Sequence, residues 1–432
     1  MKTFLDSVAA DLLAKYGTDL SRTAVVFPNK RASLFLNASL AEKAGHPIWS
    51  PAYITISDFF RSHSSLTVGD PIKLVSDLHK SFMDCTGISE TLDHFYGWGQ
   101  LLLTDFDDID KNMADAQKVF ANLKDLHELD DVSYLSEEQV AVIRKFFSNF
   151  TADHNSELKK RFLSLWSHFY DIYTDYNKRL ESEGMAYEGA LYRRVATDPS
   201  LSFDYDRYVF VGFNVLQKVE QLLFTRLMKQ GKAVFYWDFD QYYMKRGRGI
   251  NTDNEAGHYV SSYLQQFPNE LDNTDQDIYG NFLNGKSLTY IAAPTENAQA
   301  HYMSTWLKTG SRIADGRRTA VVLCDESLLK TVIHCLPDEV DQVNITTGYP
   351  LSQSPLSSLL TSLFVLQTTG YVPHSERFRL KAVCTVLSHP YACYISDACV
   401  TLLNEINNPP VYYIPHERLC QDDGLSLLFG NI

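Results

Sequence analysis

A chain of 432 residues, 45% hydrophobic and 21% charged, has the make-up of an ordinary soluble protein and is too long for a single hydrophobic core. Its formal charge of -14 excludes a protein that coats nucleic acid through bulk electrostatics, because phosphate binding needs local positive potential. The charge is unevenly spread: residues 61–150 hold 16 acidic against 8 basic side chains, whereas residues 1–60 hold 5 against 6.

Along the chain, Asp6 and Asp11 interrupt what would be the apolar core of a signal peptide, and no later stretch reaches membrane-spanning length, so a cytoplasmic protein without membrane contact is expected. The β-prone run Thr23–Phe27, the break at Pro28-Asn29 and the alanine- and leucine-rich stretch Arg31–Lys43 read as strand, turn and helix. A second strand at Tyr53–Ile56 leads into Ser57-Asp58, a helix-cap signal. Much of 71–195 is helical in pattern, most clearly from Leu158 to Leu180, and alternation returns with Tyr208–Gly212 and Ala233–Trp237 around a helix at Val219–Lys229. That order predicts a parallel sheet with crossover helices. Residues 251–286 are rich in Asn, Asp, Gln and Gly and read as a connection. A second strand–helix set is expected from Leu288–Ala292, Ala298–Leu307, Thr319–Leu323 and Leu328–Leu336, with helical pattern again from Leu356. Seven cysteines, with no C-x-x-C pair, point to buried free thiols rather than a disulfide framework or a zinc knuckle.

The segment Gly280-Asn-Phe-Leu-Asn-Gly285-Lys286-Ser287 matches G-x-x-x-x-G-K-[ST], yet a polar stretch precedes it and a β-like run follows. A phosphate loop needs a strand before and a helix after. The match reads as accidental, although a P-loop ATPase using Lys286 stands as a minor hypothesis.

Four segments resemble, in order, motifs of superfamily 1 helicases: Val25-Val-Phe-Pro-Asn-Lys-Arg-Ala32, Tyr53-Ile-Thr-Ile-Ser-Asp-Phe59, Asp206-Arg-Tyr-Val-Phe-Val-Gly-Phe-Asn214 and Phe235-Tyr-Trp-Asp-Phe-Asp-Gln-Tyr-Tyr243. The sequence keeps Asp238 and Gln241 but has Gly212-Phe213-Asn214 where an active helicase carries the acidic pair that binds magnesium and activates water. A Walker A loop before Asn29 is also missing. Together with Leu103-Thr-Asp-Phe-Asp-Asp-Ile-Asp110, Val343-Asn-Ile-Thr-Thr-Gly-Tyr-Pro-Leu351 and Val386-Leu-Ser-His-Pro-Tyr391, these features resemble AddB-like helicase–nuclease subunits, particularly of the Bacteroides type.

The resemblance implies an α/β fold of RecA-like parallel-sheet domains with large helical insertions. Residues 1–60 and 200–250 would form the first RecA-like domain, 61–199 a helical insertion, 251–287 a connecting loop, 288–352 the start of a second RecA-like domain and 353–432 a further helical insertion. The family's PD-(D/E)xK nuclease, with its iron–sulfur cysteines, is expected beyond Ile432 or not in this product, since Glu157-x-Lys159 has no Pro-Asp before it. The implied role is a non-motor subunit that guides single- or double-stranded DNA in double-strand-break repair beside an AddA-like partner, without a cofactor of its own. A scaffold that touches the partner and not DNA is the alternative. Lys30 and Arg31 are the expected phosphate contacts, with Asn29 beside them. Thr55 and Ser57 are candidate phosphate donors, Ser57 equally a helix cap. Gln241 belongs to the same candidate set. Tyr242 and Tyr243 either stack on bases or pack as core aromatics, with Lys245-Arg-Gly-Arg248 following. Asp105, Asp107, Asp108 and Asp110 read as a helix N-terminal cluster or a surface for a basic partner rather than a metal site.

Overall fold

In the computed structural model, which describes residues 3–121, 165–244, 255–348 and 350–430, the chain divides into two units, Met1–Lys286 and Ser287–Ile432. The described residues of the first contain six strands: β1 (Thr23–Phe27), β2 (Ala52–Thr55), β3 (Thr67–Val68), β4 (Met185–Ala186), β5 (Arg207–Val211) and β6 (Ala233–Tyr236). Four of them form a wholly parallel sheet in the order β2-β1-β5-β6. Side chains alternate across a strand, and both faces of this sheet are covered. Val26, Phe210 and Phe235 pack with Phe59, Phe60, Leu191 and Leu223, while Val25, Val209 and Val234 pack with Val8, Leu12, Leu36 and Leu40. Burial on both faces is why β1 and β5 are continuous apolar runs rather than alternating ones.

Within residues 251–287, expected as a connecting loop, the described residues 258–267 instead join this core. The helix His258–Gln266 buries Val260 and Tyr263, Phe267 follows them inward, and Tyr279 donates to the Trp237 carbonyl at 3.1 Å. Spaced aromatic residues within polar composition are enough for a helix that needs only one apolar stripe.

Between β2 and β5 lies a helical insertion. Helices Pro71–Thr86, Leu92–Lys111, Ala116–Ala121 and Phe169–Ser182 share a core of Phe82, Phe95, Trp98, Phe106 and Tyr176. The pair β3–β4 closes its base, with the Thr67 amide donating to the Gly184 carbonyl at 3.1 Å. Its last helix, Glu188–Thr197, packs Leu191, Tyr192 and Val195 against the sheet core. The aspartate-rich phrase lies in the C-terminal half of helix Leu92–Lys111, not at a helix start. Asp107 pairs with Lys111 at 2.7 Å, and the buried Asp110 accepts from Tyr173, Tyr187 and Arg193. Among the described residues no cluster of His, Cys, Asp and Glu is arranged to hold a metal ion. Glu157 and Lys159 lie outside the described residues.

In the second unit the helices Glu296–Lys308 and Leu329–His334 form, but the runs Leu288–Ala292 and Thr319–Leu323, expected as strands, do not. β-propensity is realised only against a neighbouring strand, and no such pairing is present among the described residues; Tyr290 and Val322 are 91% and 83% exposed. The regular core of this unit comes later. It joins helices Pro355–Val365, Leu380–Leu387, Cys399–Ile406 and Asp423–Phe429 to a small antiparallel sheet of β7 (Tyr371–Val372), β8 (Arg377–Arg379) and β9 (Tyr413–Pro415), around Leu366, Phe378, Val383 and Leu402. All seven cysteines are free thiols, but only Cys399 is buried. Among the described residues no helix is long and apolar enough to cross a membrane.

Candidate nucleic-acid interface

Because the four main strands are parallel, all of them end at one edge of the sheet, and the segments singled out in the sequence leave from that edge. Asn29–Arg31 follow β1, Ser57 follows β2, Gly212–Asn214 follow β5 and Gln241–Tyr243 follow β6. The chain runs outward from β1 to β2 and then returns to place β5 on the other side of β1, so the direction of winding reverses between β1 and β5. Open α/β sheets bind ligands at such a reversal, outside the carboxyl ends of the strands. Gly212 lines this position with φ of +72° and open space where a Cβ would stand. A residue with a side chain would be strained there.

Beside β5, the turn after β1 is the basic element. The Asn29 side-chain oxygen accepts from the Arg31 and Ala32 amides at 3.1 and 3.4 Å, so Asn29 closes the start of helix Arg31–Ala44. Lys30 is 81% exposed and stands 3.7 Å from Asp58. Hydrogen bonds from Thr55, and the nearby Lys30, hold the Asp58 carboxyl below its ordinary range. The Arg31 Nη1 is buried and has no hydrogen-bond partner among the described residues. Leaving a guanidinium nitrogen desolvated and unpaired is costly.

Thr55, not Ser57, caps the helix Ile56–Ser62. Its hydroxyl accepts from the Asp58 amide at 3.0 Å, and Asp58 accepts the Thr55 amide in return. The Ser57 hydroxyl donates to Glu188 at 3.2 Å, joining a network in which Arg61, Tyr192 and Lys111 also donate to that carboxylate. Burial pushes Glu188 up, but the hydrogen bond and charge of Lys111 prevail and hold it below its ordinary value. Nothing in the sequence reading marked Glu188, because its partners come from segments far apart in the chain.

The segment after β6 is engaged internally. Gln241 donates to the Asn273 carbonyl at 2.7 Å and accepts from Gln276 at 2.9 Å. Tyr242 stacks on Phe282 with ring centroids 4.4 Å apart, and Tyr243 lies 5.0 Å from the same ring. Both tyrosines are half-buried, and these ring contacts are with the exposed Phe282 rather than with the core. Lys245–Arg248 lie outside the described residues. Phe282 belongs to the segment matching a phosphate loop, where Lys286 donates to the carbonyls of Asn281, Phe282 and Asn284 at 2.8, 2.5 and 3.0 Å. The helix Gln276–Tyr279 precedes that turn in place of a strand. A lysine saturated by its own loop's carbonyls does not cradle a phosphate.

The loop after Gly212 ends at a capping box, where Glu220 accepts the Gln217 amide at 2.7 Å. Burial raises the Glu220 carboxyl to about 7 against that hydrogen bond. Little in the sequence marks it, because Gln217 is not the Ser or Thr that signals a capping box. The chain matches no protein-family model and no curated protein.

Proposed function

We propose that this chain is the helicase-shaped, non-motor part of an AddB-like subunit, which guides a DNA strand within a helicase–nuclease complex while an AddA-like partner supplies the motor. On this reading the parallel-sheet unit is a RecA-like domain whose phosphate chemistry has been lost. The observation that carries the proposal is the switch-point edge, where the basic turn Asn29–Arg31, with an unpaired guanidinium nitrogen, meets the end of β5. Gly212-Phe213-Asn214 supplies no carboxylate for magnesium or for water activation at that edge, so the strand is held without ATP hydrolysis. Lys30 and Arg31 take phosphates.

The test is fluorescence anisotropy with labelled single-stranded and duplex DNA across a salt series. Replacing Lys30 and Arg31 together by Ala should shallow the slope of log affinity against log salt for single strands by roughly 1.4. Equal affinity and slope for variant and wild type would overturn DNA guidance. A scaffold role without DNA contact is the second reading, favoured by the charge of -14 and by exposed Tyr290 and Val322 in the second unit. It takes first place on that outcome.

A further inference from the structure

The tyrosines expected to stack on bases are packed against Phe282, yet the helix that begins at the basic turn carries another aromatic ring. Phe35 is 59% exposed, and its neighbour Leu34 is exposed as well. Helix Arg31–Ala44 buries Leu36 and Leu40. At 100° per residue, Arg31, Leu34, Phe35 and Ala38 fall on the opposite side. Arg31 and Phe35 are one turn apart, about 6 Å along the axis. The aromatic surface thus starts one turn from Arg31, and Lys30 precedes Arg31 in the same basic turn.

Resting on the DNA reading above, we infer that Phe35 is a base-stacking residue and that the ligand of this face is single-stranded nucleic acid, with a base on the Phe35 ring and the adjoining phosphates at Lys30 and Arg31. Charge complementarity selects a polyanion for the basic turn. The ring selects an unpaired base, because every base has a π-face that an aromatic side chain can cover once it is out of the duplex. Phe27, the aromatic residue at the end of β1 itself, is buried and is not available for this contact.

The experiment compares binding of a fluorescein-labelled oligothymidine with binding of the same backbone bearing abasic sites, for wild type, Phe35→Ala, Phe35→Trp and the Lys30→Ala/Arg31→Ala variant. Stacking of ordinary strength predicts that Phe35→Ala weakens oligothymidine binding between about 5-fold and about 150-fold. Its abasic-strand affinity and salt slope should stay at wild-type values, and Phe35→Trp should restore tight binding. Circular dichroism should show no loss of fold, since the ring is largely exposed. If Phe35→Ala binds both strands as wild type does while the basic double variant shows the shallower salt slope, stacking is overturned and DNA guidance stands; the Leu34–Phe35 face then belongs to a protein contact. If neither variant alters binding, both readings fall.

Discussion

Arg22-Thr-Ala-Val-Val-Phe27 and Arg318-Thr-Ala-Val-Val-Leu323 differ only in their last residue, yet the molecule treats them oppositely. In the first unit the run is β1, flanked by β2 and β5 and buried on both faces. In the second the same residues form no strand and leave Val322 in solvent. The difference is one of neighbours. A strand exists through its ladder and its covering helices, and side-chain preference alone does not make one.

The largest effect that would break this comparison comes from one change made twice. Val26→Asp puts a carboxylate in a site without partners and should cost more than about 4 kcal/mol, enough to unfold the first unit. Val322→Asp should change stability by no more than about 0.5 kcal/mol. Urea titrations of both variants, read beside hydrogen exchange, provide the check. The amides of Thr23–Phe27 should exchange only on global opening and those of Thr319–Leu323 without protection. Protection at 319–323 would mean that the second run has a strand partner after all.

A smaller effect probes what tight burial costs in the first unit. Glu220 loses its proton near its ordinary value of 4.5 when unfolded but only at about 7 when folded. The folded state therefore binds the extra proton between those values, and stability falls as pH rises through that window. Glu220→Gln keeps an oxygen for the Gln217 amide. It should stabilise the protein by up to ~3 kcal/mol at pH 8 and by little at pH 4.5. Thermal melts at the two pH values test this, and a gain independent of pH would place the charge in solvent.

The smallest effect should be equal in the two units. Thr55 and Ser354 each accept the amide three residues on at the start of a helix, so replacing either by Ala should cost roughly 1 kcal/mol. Calorimetry showing a large cost at one and none at the other would mean that the units differ in local chemistry and not only in pairing.

Legibility in the sequence follows the same division. The strand–turn–helix at Thr23–Ala44 and the parallel character of the sheet are readable because apolar β-prone runs alternate with helical periodicity and each run finds its ladder. The helix His258–Gln266 is not, because Val260 and Tyr263 are sparse among polar residues. The edge that gathers Asn29–Arg31 and Gly212–Asn214 follows from parallel topology. The internal use of Gln241 and Tyr242 does not, since Asn273 and Phe282, their partners, sit more than thirty residues away.

Among the described residues the long helices of the insertion are tied to the helix Glu188–Thr197, which packs on the sheet core, by bonds from Asp107, Asp110 and Lys111 to Gly189, Arg193 and Glu188, and the β3–β4 pair closes the insertion at its base. Glu188, which Lys111 reaches, also accepts from Ser57 and Arg61, so one carboxylate joins helix Leu92–Lys111 to the start of the helix that follows β2.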